Sequence, residues 1–428
     1  MRVFVKSFGC STNVADGEVL AGCLVHAGYE LVNDASSAEI VVYNTCAVKG
    51  PTESRMVEAL KQISKSKKLV VAGCLPSVNL ERLLREVRFD GIVGPAAGES
   101  IVDVVNRVSR GERIGMVEST AHHLPKLTLP RVHSSSVVSI VPISYGCLGS
   151  CAYCCVVFAR GRLESYGLTE IVRRVKNDIK LGFREFWLTS QDAACYGKDK
   201  GTSLAELLRT LCAVEGDFKL RVGMMTPNLA MEMLEDLPKA FEDEHVFKFL
   251  HLPVQSGDDD ILKSMRRFYS IEDFRKVVDT FRRRFSALTL ATDVICGFPG
   301  EDQAAFEKSL QFMEQVKPDI VNVSKFFARP NTPAAEMKER FVPLTEIKKR
   351  SSRAAQLARS IALESNERWV GWEGSIIVDE KGKVPNSWVG RNFAYKPIVV
   401  KTEENTVGRT LSVSVTRAFP TYLEGKMA

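Results

Sequence analysis

The sequence predicts an α/β protein in three parts: an N-terminal doubly wound parallel sheet, a central open (β/α)6 barrel and a small C-terminal β-barrel. Three observations predict it. Short apolar runs alternate with amphipathic helical stretches from residue 1 to about 115, and again from about 136 to 363, the rhythm of parallel sheets covered by helices. Residues 116–136 break that rhythm with two prolines and a serine run, as a linker does. From Asn366 onward, apolar and polar residues alternate between Gly, Asn and Pro turns, the pattern of a small all-β barrel. The expected parts are therefore 1–115, the linker 116–136, 137–365 and 366–428. Hydrophobic residues make up 45% of the chain and charged residues 26%, as in globular proteins. No apolar run approaches the ~20 residues of a membrane span. Met1–Phe8 alternates like a strand and does not read as a signal peptide. A cytoplasmic location follows, in which the 11 cysteines stay reduced and serve metal or redox chemistry. A net charge of +6 permits an RNA partner without demonstrating one.

In the first part, Arg2–Ser7 reads as a strand, Gly17–Gly28 as an amphipathic helix and Glu39–Tyr43 as a buried strand. Thr52–Ser66 follows as a helix, then strands at Lys68–Ala72 and Gly91–Val93. Cys10, Cys46 and Cys74 each fall just past a strand end, beside Gly or Thr. Ligands on such sheets gather at the carboxyl ends of the strands. Two readings stay open: a three-cysteine iron–sulfur site, or three separate cysteines buried as small hydrophobes. Cys23, mid-helix, fits the second. His122, His123 and His133 in the linker read as exposed and not as ligands.

In the central part, strands are expected near Val138–Val141, Glu185–Thr189, Lys219–Met224, His251–Val254, Ala291–Ile295 and Ile320–Phe327. The intervening helices include Leu168–Lys180, Ser203–Val214, Ile271–Phe285 and Gln303–Gln315, and Thr345–Ser365 is a further helix. An open barrel of this kind places its site at the strand C-termini. The loop Ser144–Gly161 carries Cys147, Cys151 and Cys154 in a C-x3-C-x2-C spacing. Three thiolates on one loop suit iron–sulfur or other soft-metal ligation, and three ligands leave one iron of a four-iron cube without a protein sulfur. Gly146 and Gly149 let the backbone turn tightly, and Tyr153 can cover the core. On spacing alone a zinc knuckle stays open, although zinc usually takes four ligands in two separated pairs. Cys155 points away from Cys154 if the turn is extended and is not read as a ligand. Cys212 reads as core, and Cys195 and Cys296 are left unassigned.

The C-x3-C-x2-C spacing, with Tyr153 before its last cysteine, resembles the signature of the radical S-adenosylmethionine (SAM) enzymes. Phe8-Gly-Cys-Ser-Thr-Asn13, Asn44-Thr-Cys-Ala-Val-Lys-Gly-Pro-Thr-Glu53 and Ala72-Gly-Cys-Leu-Pro76 resemble the three cysteine blocks of the radical-SAM methylthiotransferases. Further blocks similar to the family follow each barrel strand: Leu188–Asp192 with Tyr196-Gly, Met224–Asn228, His251–Gly257, Thr292–Glu301 and Phe327–Ala334. The resemblance implies two [4Fe-4S] clusters and SAM as cofactors. Cys147, Cys151 and Cys154 would hold the SAM-cleaving cluster; Cys10, Cys46 and Cys74 would hold an auxiliary cluster carrying the sulfur that reaches the product. Tyr153, Gln191, Gln255, Ser256 and Arg329 are the side chains expected at SAM, with Arg160 a further partner for a carboxylate or phosphate; for Gln191, Gln255, Ser256, Arg160 and Arg329 a turn residue holding the barrel mouth is the other reading.

The last part is expected to hold strands over Trp369–Val378, Lys383–Val389, Tyr395–Lys401 and Thr406–Val415 and a short tail strand. It resembles the TRAM domain, an RNA-binding β-barrel at the C-terminus of methylthiotransferases. Arg391, Asn392, Lys396, Lys401, Arg409 and Arg417, with Trp388, Phe393 and Tyr395, are its expected RNA-facing residues; an ordinary solvated face is the other reading. Val48–Met56, Gly146–Cys151, Phe158–Tyr166, Gly223–Asn228 and Gly390-Arg-Asn392 resemble the archaeal and eukaryotic branch that acts on threonylcarbamoyladenosine in tRNA. The branch acting on isopentenyladenosine usually has Asn where this chain has Leu148. The resemblance therefore implies a tRNA methylthiotransferase that puts a methylthio group on C2 of adenine 37 in the anticodon loop, served by an electron donor. The same chemistry on another tRNA adenosine or a protein residue is the alternative, and a non-catalytic iron–sulfur RNA-binding protein is a more distant one.

Overall fold

A computed structural model describes residues 1–47, 50–114 and 124–428. The first part is a five-stranded parallel sheet. Its strands are β1 (Arg2–Ser7), β2 (Glu30–Leu31), β3 (Ile40–Thr45), β4 (Lys68–Gly73) and β5 (Gly91–Ile92), in the order β2-β1-β3-β4-β5. Central β3 is buried at every residue and β4 at all but Lys68, which is why both read as unbroken apolar runs. One face packs Leu20 and Leu24 of α1 (Ser11–His26) with residues of the later helix Ser100–Ser109. The other face packs Val57 and Leu60 of α2 (Gly50–Ile63), with the short α3 (Cys74–Val78) leading into α4 (Leu80–Glu86) and its Leu83. Ser100–Ser109 is α5.

Helix α1 begins at Ser11, six residues before the expected Gly17. Ser11, Thr12, Asn13 and Asp16 are weak helix formers, so pattern alone began the helix only at Gly17. Thr12, Asn13 and Asp16 are nevertheless buried, because this first turn faces the central part.

That part begins with β6 (Val138–Pro142), then a small antiparallel ribbon of β7 (Ser144–Tyr145) and β8 (Glu164–Ser165) that closes the base of the cysteine loop. Helix α6 (Val156–Arg160) lies inside that loop. Next come α7 (Leu168–Lys180), β9 (Glu185–Thr189), α8 (Leu204–Cys212) and β10 (Lys219–Val222). After α9 (Pro227–Met231) and α10 (Leu237–Ala240) follow β11 (Phe249–His251), α11 (Asp259–Ser264), α12 (Ile271–Arg284), β12 (Thr289–Cys296), α13 (Gln303–Val316) and β13 (Ile320–Lys325). The parallel sheets β10-β9-β6 and β11-β12-β13 meet at a Leu220–Val246 bridge. The six strands thus form an open arc in chain order. After α14 (Pro333–Glu336), helix α15 (Leu344–Glu367) packs against β13.

The C-terminal strands β14 (Glu373–Lys381), β15 (Ser387–Arg391), β16 (Pro397–Lys401), β17 (Thr410–Ala418) and β18 (Leu423–Met427) close into a barrel in the order β14-β15-β16-β18-β17. It docks on the floor of the arc, at the strand N-termini. Lys248, just before β11, donates its backbone N–H to Phe393 O at 2.8 Å. Arg184, just before β9, reaches Gly408 O at 3.1 Å. The Arg221 guanidinium of β10 lies 5.2, 5.0 and 5.3 Å from the rings of Trp187, Phe249 and Tyr395.

This docking corrects the expected RNA face. Tyr395 fills the barrel floor against Phe247 and Phe249, and Trp388 lies in the small barrel's own core. Lys396 Nζ is buried and donates to Asp319 at 2.7 Å and Asn366 at 2.9 Å. Arg391 pairs with Asp379 at 2.9 Å, and buried Asn392 accepts from the backbone of Ala394 and Lys396. Of that set, Phe393, Lys401, Arg409 and Arg417 are exposed. The motif was legible, but its polar residues serve a buried interface, which sequence alternation cannot distinguish from a wet one.

The linker packs too. Leu127 and Leu129 are buried, and the chain at Pro130–Arg131 crosses α1 so closely that a Cβ on Gly22 would lie 2.2 Å from Pro130 O. His133 was expected to be exposed; its side chain is 16% exposed and its ring sits 4.3 Å from that of Phe183. His122 and His123 lie outside the described residues.

Burial lowers the His133 imidazole from 6.5 to about 4. Between those values the unfolded chain binds the proton and the folded one does not, so stability is full above pH 6.5 and declines as pH falls through this window. His133→Gln should flatten that part of the stability–pH curve, measured by urea unfolding. Lys396→Ala leaves Asp319 buried without its cation and should cost about 3 kcal/mol in the same assay.

Candidate functional site

Cys10 caps the start of α1, Cys46 follows β3, and Cys74 opens α3 after β4. The parallel strands therefore bring three distant cysteines to one sheet edge. The flanking polar residues hold that edge together. Asn13 Nδ2 donates to Phe8 O at 2.6 Å, Asn44 Nδ2 to Asn13 O at 2.6 Å, and Thr45 Oγ1 to Ala72 O at 2.6 Å. Gly9 lies at φ +106°, and a Cβ there would sit 2.7 Å from Cys46 Cβ and 2.8 Å from its Sγ. Cys74 feels both Cys10 and Cys46, and burial pushes its thiol up to about 12. A thiolate there needs positive charge beside it, which a metal supplies.

The second trio occupies the loop between β7 and β8. Its middle is pinned by Ala152, whose N–H donates to Met265 O at 2.9 Å and whose carbonyl accepts from Ala334 N at 2.8 Å. Gly149 N–H donates to Cys147 Sγ at 3.2 Å, Arg267 Nη1 to Cys151 Sγ at 3.0 Å, and Val156 N–H to Cys154 Sγ at 3.4 Å. Each sulfur thus has a donor that favours the thiolate. A Cβ on Gly149 would stand 3.3 Å from Cys147 Sγ and 3.6 Å from Cys151 Sγ, so a side chain there would crowd the two sulfurs. Among the described residues, neither trio draws together to the 4.8 Å spacing of a single-ion site; a four-iron cube needs its sulfurs further apart. Three soft donors at each trio, with N–H groups directed at the sulfurs of the second, fit such clusters.

The two trios open onto one junction. Ser11, beside Cys10, bonds Thr189 at the end of β9 at 2.6 Å. Arg160, at the end of α6, pairs with Asp16 at 2.6 Å and donates to Asn13 at 3.2 Å. Asp16 also accepts from Tyr145. Cys155 Sγ donates to Ala47 O at 3.5 Å and packs with Cys74 in one small apolar cluster. Arg329 pairs with Glu53, which also holds Arg82 at 2.9 Å.

These contacts reposition several expected SAM-binding side chains. Arg160 and Arg329 each pair with a carboxylate of the first part, as buried guanidinium groups require, while Arg160 Nη1 and Arg329 Nε and Nη1 keep no partner. Ser256 is fully buried, and its Oγ accepts from Asp258 N at 3.2 Å, which makes it a turn residue. Gln255 stands at φ +72° at the end of β11, with its backbone tied to Asp293 and Ile295. Gln191 has a buried Oε1 without a partner, and Tyr153 lies edge-on to Phe298 at 6.5 Å; both stay available at the mouth. Sequence reasoning missed Asp16, Glu53 and Arg267, for which spacing carries no signal. It left Cys195 unassigned, yet Cys195, Asp192 and Cys147 converge within 4.8 Å. The Cys195 thiol donates to Cys147, which lowers the pKa of Cys147 and raises its own. Cys212, read as core, is half-buried beside Asp243 and His245.

Residues 2–94 match the Uncharacterized protein family UPF0004, and residues 141–313 match the Radical SAM superfamily. Among solved structures, the fold is similar to a radical S-adenosylmethionine methyltransferase, TsrM, from Kitasatospora setae with cobalamin and a [4Fe-4S] cluster bound. The TM-score is 0.58 at 12% identity, over 91% of this chain and 76% of that one. Fold and site therefore define a radical-SAM protein with an added N-terminal sheet. The chain is 41% identical to the probable threonylcarbamoyladenosine tRNA methylthiotransferase of Pyrococcus abyssi, over 100% of this chain and 99% of that protein. It is 33% identical to the threonylcarbamoyladenosine tRNA methylthiotransferase of Homo sapiens, over 99% of this chain and 74% of that protein. The chain belongs to the threonylcarbamoyladenosine tRNA methylthiotransferase family. It is a radical-SAM methylthiotransferase whose cofactors are SAM and two [4Fe-4S] clusters.

Gly9→Ala should block closure of the first trio and leave the second intact. Iron in anaerobically reconstituted protein should then fall from about eight to about four per chain, for cubes of the four-iron type.

Proposed function

We propose that this enzyme replaces the C2–H of N6-threonylcarbamoyladenosine at position 37 of tRNA with a methylthio group. The observation that carries the reading is the docking of the two segments that bear the cysteine trios, one from each α/β part, through Arg160, Asp16 and Tyr145. In this reading Cys10, Cys46 and Cys74 hold the sulfur-donating cluster, and Cys147, Cys151 and Cys154 hold the SAM-cleaving one. When bound, these groups supply the one-electron chemistry that an unactivated C–H bond demands. The chain's own work is binding, orientation and exclusion of water. Gln191 and Gln255 offer amides to SAM, and Tyr153 shields the cysteine loop. The interlocked Arg160–Asp16 and Arg329–Glu53 pairs keep the two trios at fixed separation.

The adenine must leave the anticodon loop to present C2, as bases do in single-stranded RNA recognition. The C-terminal barrel contributes the exposed residues Phe393, Lys401, Arg409 and Arg417. It sits at the strand N-termini, roughly 17 Å of strand from the cysteine end, so it grips the tRNA stem and not the modified base. The reaction belongs in the cytoplasm and draws electrons from a separate donor. Among the described residues, no helix is long and apolar enough to cross a membrane.

Cys151→Ala should give a folded protein with no SAM cleavage; detectable 5′-deoxyadenosine would remove Cys151 from the cluster. Mass spectrometry of tRNA nucleosides from a deletion strain should show loss of the methylthio group from threonylcarbamoyladenosine alone. Loss from a different nucleoside, or from a protein, would move the activity to that acceptor.

A further inference from the structure

Arg267 lies between α11 and α12, outside the cysteine loop, yet it touches the second trio directly. Its Nη1 donates to Cys151 Sγ at 3.0 Å. Its Nε donates to Tyr269 OH at 3.1 Å, and that hydroxyl donates to Val254 O at 2.7 Å. The guanidinium also stands 5.1 Å from the Tyr269 ring. The residue is 9% exposed and its Nη2 has no partner. Among the described residues no carboxylate pairs with it, unlike Arg160 and Arg329. Met265, two residues earlier, accepts from the backbone of Ala152 at 2.9 Å, which fixes the spacing between this segment and the cysteine loop. The result is a permanent buried cation braced against one ligand sulfur, with the buried Asp192 carboxylate in its field but not paired with it. The other two sulfurs of the trio receive neutral donors from Gly149 and Val156.

We propose that Arg267 is a positioning residue for the SAM-cleaving centre, and that its charge-assisted bond to Cys151 raises the reduction potential of the cluster held by Cys147, Cys151 and Cys154. This rests on the assignment of that trio as cluster ligands. Reduction adds one electron, and so one negative charge, to the cluster. A fixed cation one hydrogen bond from a ligand sulfur stabilises the reduced form more than the oxidised form. Arginine is required because only its planar fork reaches Cys151 and Tyr269 together. The buried cation thereby sets how strong a reductant must be to start the reaction.

The test uses the full chain carrying Cys10→Ala, Cys46→Ala and Cys74→Ala, so that one cluster remains. After anaerobic reconstitution, the protein is titrated with sodium dithionite as one-electron reductant and followed by electron paramagnetic resonance. Arg267→Gln should shift the midpoint to a more negative potential, and Arg267→Lys by less. A potential unchanged or raised in Arg267→Gln overturns the proposal. Failure of the parent to hold about four irons strikes instead at the ligand assignment on which it rests. Should Arg267→Gln lose its iron, the parent labelled with 15N-arginine decides. A nitrogen hyperfine coupling to the reduced cluster, absent from Arg267→Lys, supports the bond; no coupling overturns it.

Discussion

The buried ion pair between Arg160 and Asp16 is the constraint on which the rest of this structure depends. Both side chains are almost fully buried, 2% and 3% exposed. Arg160 closes the segment that begins with Cys147, and Asp16 lies in the helix that begins after Cys10. The pair therefore couples the two cysteine loops through a rigid, short path. Breaking such a pair costs about 3–5 kcal/mol, because the surviving charge is stranded. This cost holds the two cysteine-bearing segments at a fixed separation.

The same logic explains the second clamp. Glu53 is buried between Arg82 of its own sheet and Arg329 of the barrel. One carboxylate thus answers two guanidinium groups, and the first sheet is held at two points across the cleft. Cys155 packs between these clamps and contributes apolar contact, with its thiol on the Ala47 carbonyl. The junction is consequently dry at its edges, while Gln191 and Arg267 keep unpartnered polar atoms.

At the opposite end, the small barrel serves as the floor. Arg221 among three aromatic rings and Lys396 beside Asp319 make that contact a folded interior and not a hinge. A floor built this way fixes the exposed Arg409 and Arg417 relative to the cysteine end.

Local pattern determined much of this protein. Apolar alternation placed most strands and the longer helices α1, α2, α7, α8, α12, α13 and α15, since period and burial are properties of short stretches. The six cysteines were legible because their flanks carry turn chemistry and their spacing is local or tied to strand ends. Tertiary structure alone decided which charges are spent. Asp16 lay just before the expected start of the helix, and Arg160 and Arg329 read as ligand-binding cations. Lys396, Tyr395 and Asn392 read as an RNA face, although they sit inside an interface. Arg267 and Cys195 carried no signal. The physical reason is that a buried charge is defined by its partner across the fold, and the partner of Arg160 lies 144 residues away in the chain.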